Sequence, residues 1–359
     1  MRVINFSAGP SALPLCVLQK AESEFLSFKG KGFSIMEISH RSAVFDEVYK
    51  STVDSIKRLY ALSDEYEVLF MQGGASLQFA LAPMNLSQDK RVEYADTGVW
   101  TQKAIKEVKI QGKECVIVAS SEQEAYSYIP EVSFSDDAAY GYICSNNTIY
   151  GTQYRTLPAS KTPLVIDASS DVLSYPIDFS GSNVGVLFAG AQKNAGISGV
   201  TLVIIRKDML ERVPQNLPTM LRYDTYANNQ SMFNTPPTFA IYMLGLICEW
   251  IEGLGGLEAV KERNAKKAFE IYNAIDTSGG FYKGHAKENS RSNMNVSFNI
   301  VANPALEPVF VEEASRAGML GLKGHKHIGG IRASIYNAIT PSEVETLTKF
   351  MREFVRKHG

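Results

Sequence analysis

Lys193 lies in a short polar linker between two apolar runs, at residues 184–189 (VGVLFA) and 200–205 (VTLVII). Both runs are short and rich in β-forming residues, which predicts two buried strands. The linker contains three glycines, so we expect the lysine on a tight turn close to apolar surroundings. Desolvation there would lower the pKa of the amine, and a neutral amine forms Schiff bases with carbonyl compounds such as pyridoxal phosphate. A lysine that extends to solvent from an ordinary turn is the alternative.

A strand–turn–helix unit supplies a second candidate site. Residues 68–71 predict a strand that runs into the turn 72–76 (QGGAS), and a helix is expected over residues 77–84. The backbone N–H groups and the dipole at a helix N-terminus favour phosphate. The glycine pair alone is a weak signal, because the turn is neither a Walker A sequence nor GxGxxG and many strand–helix turns contain glycine.

Polar and aromatic side chains follow other predicted strands. Asp167 directly follows residues 164–166 (LVI), where a carboxylate is costly unless it is paired. Such a carboxylate suits the protonated nitrogen of a pyridine ring, and a turn or N-cap aspartate is the alternative. Thr148 follows the run that ends at Cys144. Trp100 follows the turn 96–99, where it would either stack on a flat ring or belong to the core.

Strand-like and helical segments alternate through the first 205 residues. Apolar runs at residues 92–95, 115–119, 139–144 and 164–166 predict strands, and residues 100–108 predict a helix between two of them. Continuous apolar strands in β-α alternation indicate an α/β fold with a mostly parallel sheet that is covered on both faces. Ligands bind such sheets at the carboxyl ends of the strands, where the candidates above are expected.

Composition excludes several classes of protein. The chain has 359 residues and is 45% hydrophobic, enough for a large domain and a smaller one. A net charge of -2 without a long basic run argues against nucleic acid as a partner. Four scattered cysteines and a first segment without a signal-peptide core lead us to expect a cytoplasmic protein, without disulfides or a metal site. The longest apolar run, residues 239–251, is too short to cross a bilayer and predicts a core helix.

Two polar segments lie outside this strand and helix alternation. Residues 34–38 predict an extended stretch that ends at His40 and Arg41. Residues 223–234 predict a loop before Pro236 and Pro237, which forbid helix in front of them. That loop would be either a surface connector or an arm that reaches a partner subunit.

The pattern changes after residues 252–256 (EGLGG). Helices are expected over residues 257–275, 306–317 and 342–357, and strands over residues 294–300 and 331–336. This order predicts a compact α+β domain. Within it, the glycine-rich basic loop 322–332 (LKGHKHIGGIR) ends at Arg332, which could bind a carboxylate through two hydrogen bonds.

Together these segments resemble the phosphoserine aminotransferase family, within PLP fold type I and the aspartate aminotransferase superfamily. The matching motifs run in order along the chain and are NFSAGPSALP (5–14), MEISHRS (36–42), YADTGVW (94–100), AGAQKN (189–194), SMFNTPPTF (231–239) and LKGHKHIGGIRASIYNA (322–338). The resemblance implies a large PLP-binding domain, residues 16–256, with a mostly parallel seven-stranded sheet. It also implies a small α+β domain, residues 257–359, with which residues 1–15 associate.

The resemblance assigns roles at the cofactor ring. Lys193 would bind pyridoxal phosphate as a Schiff base, Asp167 would pair with the ring nitrogen, and Trp100 would stack on the ring. Thr148 would contact the cofactor near its phenolic oxygen.

The resemblance also assigns contacts to the cofactor phosphate. Ala75 and Ser76 would donate to it, with Gln192 beside them. Asn234 and Thr235 would reach the phosphate in the neighbouring subunit, which implies a homodimer with shared active sites.

The implied substrates are 3-phosphohydroxypyruvate and glutamate, converted to phosphoserine and 2-oxoglutarate. Arg332 would hold the substrate α-carboxylate. His40, Arg41 and His325 would surround the substrate phosphate, with Lys326 at the rim.

One departure from the family bears on specificity. Some members carry GRGQ after the glycine pair, with an arginine facing the substrate, whereas this chain has Ser76 within ASLQ. Two other functions remain as alternatives: a serine or alanine–glyoxylate type aminotransferase, and a non-catalytic regulatory protein of the same fold. The cationic set around the substrate phosphate disfavours the first, and the presence of both Lys193 and Asp167 disfavours the second. Use of the four-carbon phospho-substrate of vitamin B6 synthesis also stays open.

Overall fold

The computed structural model describes residues 2–359, which contain ten α-helices and fourteen β-strands. The helices are α1 (Leu15–Glu24), α2 (Ala43–Leu59), α3 (Gly74–Leu86), α4 (Val99–Ile110), α5 (Lys207–Leu210), α6 (Tyr223–Asn228), α7 (Thr238–Gly253), α8 (Gly256–Asp276), α9 (Leu306–Arg316) and α10 (Pro341–His358). The strands are β1 (Ile4–Asn5), β2 (Tyr66–Met71), β3 (Val92–Asp96), β4 (Cys115–Ser120), β5 (Gly141–Cys144), β6 (Asn146–Asn147), β7 (Thr152–Gln153), β8 (Leu164–Asp167), β9 (Val184–Gly190), β10 (Thr201–Arg206), β11 (Tyr282–Gly284), β12 (Asn295–Ile300), β13 (Met319–Leu320) and β14 (Ile331–Ser334).

Seven strands form the central sheet, in the order β2-β10-β9-β8-β5-β3-β4. The pairs from β9 to β4 are parallel, and β10 alone runs antiparallel to both of its neighbours. The prediction of an α/β fold with a mostly parallel seven-stranded sheet is therefore confirmed. Because β2, β5, β8 and β9 run in one direction, their carboxyl ends meet at one edge of the sheet.

Both faces of this sheet are covered by helices. Along β2, Val68 and Phe70 join the apolar cluster beneath α2 and α7, whereas Leu69 and Met71 join the cluster beneath α3 and α4. Alternate side chains of a strand point to opposite faces, so a continuous apolar strand is what a doubly covered sheet requires. The strand ends are thereby fixed between two packed layers.

A three-stranded antiparallel sheet, β11-β12-β14, forms the second core together with α8, α9 and α10. Phe310 packs edge-on against Phe298 and Phe354, with ring centroids 6.1 and 5.1 Å apart. Helix α10 begins with a capping box between Thr340 and Glu343, which satisfies the first backbone donors. This sheet carries β14 and thus Arg332.

The first strand pairs with this second core. Ile4 and Asn5 of β1 lie in parallel register with Met319 and Leu320 of β13, and Phe6 is fully buried in the same apolar cluster. The domain boundaries at residues 15 and 256 stay a prediction.

Two segment predictions were wrong. Residues 34–38 are not extended: Ile35–Glu37 is one turn of 3-10 helix, because Ser34 and Glu37 cap it reciprocally. Residues 223–234 are not wholly a loop, because α6 takes up the first half and buries Tyr223 and Tyr226 against β2 and α3.

Within residues 2–359, no single helix is long and apolar enough to cross a membrane. Helices α7 and α8 meet the length and composition test only as a pair bent by 82°. The same residues contain no group of three His, Cys, Asp or Glu side chains placed to hold a metal ion.

Candidate active site

A cavity of about 240 Å³ opens at the carboxyl edge of the central sheet. The turn before α3, the start of α4, the ends of β5 and β8, and the turn after β9 all contribute to it. Its lining residues are Gly73, Gly74, Ala75, Ser76, Phe79, Trp100, Cys144, Asn146, Asp167, Ser169, Ser170, Gln192 and Lys193. Six residues predicted as cofactor contacts therefore lie around one cavity.

Lys193 extends into this cavity from the turn between β9 and β10. Its Nζ donates to Oγ1 of Thr148 at 3.1 Å and lies 5.3 Å from the centroid of the Trp100 ring. Burial lowers the pKa of the Lys193 amine, and the charge of Asp167 opposes that shift. The amine is thus closer to its neutral, nucleophilic form than a surface lysine would be.

Asp167 is the last residue of β8 and is 3% exposed. Its Oδ1 accepts from the backbone N–H of Ser169 at 3.0 Å. Burial raises the pKa of the Asp167 carboxyl, against the hydrogen bonds of Ser169 and the charge of Lys193. No cationic side chain of the described residues forms an ion pair with it within 4.0 Å, so a cation beside it would stabilise the ionised form.

The turn before α3 is shaped by two glycines. Gly73 and Gly74 have φ of +87° and +62°, and a Cβ on Gly73 would lie 2.6 Å from Cβ of Leu77. Helix α3 begins at Gly74, three residues earlier than predicted, so Ala75 and Ser76 belong to its first turn. The backbone N–H groups of Gly74, Ala75 and Ser76, at the start of the helix, lack intrahelical acceptors, and such free donors favour an anion.

Trp100 lies in the first turn of α4, and its buried Nε1 has no acceptor. Lys103, one helical turn later, places its Nζ 4.5 Å from the centroid of the same indole ring. The sequence interpretation missed this cation, although the i to i+3 spacing on a predicted helix was available as a signal.

Arg332 lies on β14, directly opposite Ser297 of β12. The loop before it is held tightly: the N–H of Gly330 donates to Glu307, and a Cβ on Gly330 would lie 2.4 Å from the carbonyl oxygen of Phe298. The Nε of Arg332 is buried without an acceptor. Arg332 therefore has hydrogen-bonding capacity left for a ligand.

His325 and Lys326 belong to the same cationic group as Arg332. Burial lowers the pKa of the His325 ring, and the charges of Arg332, His327, Lys326 and Lys103 lower it further. Such a concentration of positive charge favours an anionic ligand beside these residues.

Eight predicted residues are not among those lining the cavity: His40, Arg41, Thr148, Asn234, Thr235, His325, Lys326 and Arg332. Of these, Thr148 accepts from the Lys193 amine, and the charge of Arg332 acts on the same amine. Arg41, Asn234 and Thr235 are exposed, and Nε2 of His40 is buried without a partner. The carbonyl oxygen of Thr235 accepts from Gln72 at 3.4 Å.

Three other lining residues escaped the sequence interpretation. Nδ2 of Asn146 donates to Oγ of Ser170 at 2.7 Å, and Ser170 in turn donates to the carbonyl oxygen of Asn146. Ser169 donates to Asp167 as described. The serine pair at positions 169 and 170, which follows Ala168, was the only local signal for this network.

The donor set fits pyridoxal phosphate. Free N–H groups at α3 suit its phosphate, the unpaired carboxylate of Asp167 suits its ring nitrogen, the Trp100 indole suits its ring face, and the Lys193 amine suits its aldehyde. Together with the seven-stranded sheet, this site defines an enzyme of PLP fold type I.

Comparisons with known proteins narrow this class. The model of the family "Aminotransferase class-V" matches residues 3–347. A protein of Campylobacter jejuni named phosphoserine aminotransferase is 58% identical over the whole of both chains. One of Lysinibacillus sphaericus with the same name is 53% identical over 99% of each chain. The chain belongs to the class-V aminotransferases and, within them, to the phosphoserine aminotransferase family.

Solved structures of phosphoserine aminotransferases also match this chain over nearly its whole length. The phosphoserine aminotransferase of Bacillus circulans subsp. alkalophilus matches with a TM-score of 0.96 and 47% identity, over 100% of this chain and 99% of that one. A PLP-bound phosphoserine aminotransferase of Trichomonas vaginalis matches with a TM-score of 0.92 and 39% identity, over 98% and 100% of the two chains. An alanine–glyoxylate aminotransferase of Nostoc sp. shares the fold at a TM-score of 0.76 but only 13% identity.

Proposed function

We propose that the protein transfers the amino group of glutamate to 3-phosphohydroxypyruvate, giving phosphoserine and 2-oxoglutarate, with pyridoxal phosphate as cofactor. The observation that carries this proposal is the placement of the Lys193 amine and the unpaired carboxylate of Asp167 around one cavity. The high identity to phosphoserine aminotransferases over the whole chain supports the same substrates. The reaction would serve serine biosynthesis.

When bound, the cofactor supplies an aldehyde and a ring that accepts the electron pair left at the substrate Cα. Lys193 would hold that aldehyde through its amine and, once the substrate amine has replaced it there, would move the proton at the substrate Cα, first as a base and afterwards as an acid. Thr148 orients the amine through the hydrogen bond described above. Asp167 would hold a proton at the ring nitrogen through its charge, and Trp100 would cover the ring face and exclude water.

The substrates carry negative charge at both ends, and the chain offers cations for each. Arg332 binds the α-carboxylate, because its planar guanidinium suits two parallel hydrogen bonds. His325 and Lys326 contribute to the phosphate end. The Lys103 ammonium adds positive charge beside the indole and offsets the arginine that some family members carry at the position of Ser76.

We further propose a homodimer that shares its active sites. Arg41, Asn234 and Thr235 are exposed and, like His40, do not line the cavity of their own chain, so we propose that a second copy delivers these four residues. Large apolar side chains are exposed near both segments: Phe33 is 38%, Met36 50% and Phe233 48% exposed. A second copy would cover that surface.

The dimer is tested by complementation. Lys193→Ala is mixed with a double variant, Asn234→Ala and Thr235→Ala, under conditions of subunit exchange. A mixed dimer regains one intact site, so activity should rise above that of either parent. No gain after confirmed exchange would show that the sites are not shared.

All four cysteines are free, at Cys16, Cys115, Cys144 and Cys248. Free thiols, including two that are buried, are typical of a reducing compartment, and we propose that the protein works in the cytoplasm. Fractionation of the native host would test this directly.

The activity itself is tested with a panel of amino donors. The purified holoenzyme is given phosphoserine, 4-phosphohydroxythreonine, serine, alanine or aspartate with 2-oxoglutarate, and glutamate formation is measured. Phosphoserine should exceed the unphosphorylated donors by orders of magnitude in kcat/KM. Equal rates with serine or alanine would instead favour an aminotransferase of the alanine–glyoxylate type.

A further inference from the structure

Residues 6–11, here called the strap, connect the second core to the turn that carries Lys193. At one end, the N–H of Phe6 donates to Leu320 at 2.8 Å, and the N–H of Ser334 donates to the carbonyl oxygen of Phe6 at 3.2 Å. In the middle, the hydroxyl of Tyr336 donates to the carbonyl oxygen of Ala8 at 2.8 Å. The strap is therefore fixed to the sheet that holds Arg332.

The other end of the strap is fixed to the lysine turn. The N–H of Ser11 donates to the carbonyl oxygen of Gln192 at 3.0 Å, and its hydroxyl donates to the carbonyl oxygen of Lys193. Both hydrogen bonds reach the backbone of the turn rather than a side chain. The strap thus constrains where the Lys193 main chain lies.

Gly9 lies against the Lys193 side chain between these two anchor points. A Cβ at Gly9 would be 3.1 Å from Cγ, 3.7 Å from Cε and 3.9 Å from Cδ of Lys193. Its φ of +144° also favours glycine. Because Gly9 has no side chain, the Lys193 side chain has room to extend past it into the cavity.

We propose that the strap is a positioning device for Lys193: Gly9 leaves room for the side chain of the lysine, and Ser11 holds the main chain behind it. The inference rests on the proposed role of Lys193. Through Phe6 and Tyr336, the strap also ties the position of the lysine to that of the strand bearing Arg332. Displacement of the strap would admit water beside the lysine methylenes and move the amine relative to its charged neighbours.

Those neighbours come from several elements. Asp167 of β8, Cys144 of β5, Arg332 of β14 and Asp171 after β8 all influence the protonation of the Lys193 amine. The balance among them depends on the position of Nζ, so a small displacement changes the pH at which the amine and the group bound to it titrate.

The test compares Gly9→Ala, Ser11→Ala and Ser11→Thr as holoenzymes. Gly279→Ala is the control, because Gly279 also has positive φ, at +65°, but no atom lies near its Cβ position. The first readout is the pH midpoint of the cofactor absorbance. The second is the split of glutamate kinetics into kcat and KM.

Gly9→Ala should shift the absorbance midpoint by at least about half a pH unit and lower kcat about tenfold with little change in KM. Ser11→Ala should shift the absorbance midpoint in the same direction as Gly9→Ala. Ser11→Thr keeps the hydroxyl and should have the wild-type midpoint. Gly279→Ala should match the wild type.

Wild-type midpoints in both Gly9→Ala and Ser11→Ala would overturn the proposal. If Gly9→Ala does not fold, the two Ser11 variants decide, since a midpoint that is the same in Ser11→Ala, Ser11→Thr and the wild type also overturns it. A wild-type enzyme that does not transaminate phosphoserine, or does not bind the cofactor through Lys193, would instead refute the proposed function.

Discussion

The backbone N–H of Asn337 donates to the side-chain oxygen of Asn194, the residue after Lys193, at 2.9 Å. The side chain of Asn337 continues the link, since it donates to the carbonyl oxygen of Leu173 at 2.7 Å and accepts from Asn264 at 2.8 Å. These hydrogen bonds join the segment after β14 to the lysine turn. The strand that carries Arg332, proposed to bind the carboxylate, and the turn that carries Lys193, proposed to move the proton, are therefore held together by one hydrogen-bonded frame.

Lys267 should be essential to that frame. Its buried Nζ donates to the carbonyl oxygens of Ile335 and Tyr336, both at 2.8 Å, and of Ile339 at 3.0 Å. Lys267→Met leaves the buried carbonyl groups of Ile335 and Ile339 without this donor, at about 1–3 kcal/mol for each unsatisfied group, whereas the carbonyl oxygen of Tyr336 still accepts from the N–H of Ile339. Urea unfolding should show a clear loss of stability, whereas Lys266→Met, at an exposed neighbour, should be neutral. Equal midpoints for the two variants would refute the structural role of Lys267.

Asp167→Asn keeps the shape of the side chain but removes its charge. Breaking a buried charged pair costs about 3–5 kcal/mol, so kcat should fall by about two to four orders of magnitude. Cofactor content, measured from absorbance, distinguishes slow chemistry from lost binding. A loaded Asn variant with the kcat of the wild type would contradict the role proposed for Asp167.

Asp171 makes stability depend on pH. Burial raises the pKa of its carboxyl to about 7, although Ser145, Gln153 and Tyr175 donate to it. Between the unperturbed pKa of 3.8 and about 7, the folded protein binds more protons than the unfolded chain. Its stability therefore falls as the pH rises through that window.

Asp171→Asn stays neutral throughout that window. Its urea midpoint relative to the wild type should therefore rise between about pH 4.5 and pH 7.5. The exposed Asp178→Asn serves as the control and should follow the wild type at both pH values. A difference for Asp171→Asn that is constant or shrinks with pH would refute the raised pKa.

Arg332 and Arg41 should have separable effects on the two amino donors. Arg332→Ala should lower kcat/KM equally for phosphoserine and glutamate, because both donors carry the α-carboxylate. Arg41→Ala should lower kcat/KM for phosphoserine by about one to two decades, and should lower it less for glutamate. Charged hydrogen bonds such as those expected from Arg41 to the phosphate contribute about 1.5–3 kcal/mol. The measurement is kcat/KM for both donors in both variants. Equal losses on truncating Arg41 would disprove this division.

The centre of the site was predictable from local sequence because the fold gathers strand ends. Asp167, Lys193 and the turn at Ala75 each follow an apolar run, and parallel strands bring their carboxyl ends to one edge. Sequence patterns therefore placed them at the ends of predicted strands, and the structure brings them around one cavity. The motif resemblance added chemical roles that spacing could not supply.

Other features depend on contacts between distant segments. Nothing near Gly9 in sequence shows that it packs against Lys193, because that contact requires β1 to pair with β13 first. The capping box of Ser34 and Glu37 was readable from the S-x-x-E pattern but was overlooked. Arg41 is exposed and does not line the cavity, and no local pattern encodes that placement.

The central claim is tested most directly by a half-reaction in the absence of any amino acceptor. Holoenzyme is mixed with phosphoserine alone, and the cofactor absorbance is followed together with the keto acid formed. The account predicts conversion of the aldehyde spectrum to the amine spectrum, with one 3-phosphohydroxypyruvate per site, and the same conversion with glutamate. With serine, the aldehyde spectrum should convert far more slowly. The Lys193→Ala variant should show no conversion with any of these donors. An unchanged spectrum with phosphoserine, or equal conversion by serine, would contradict the account.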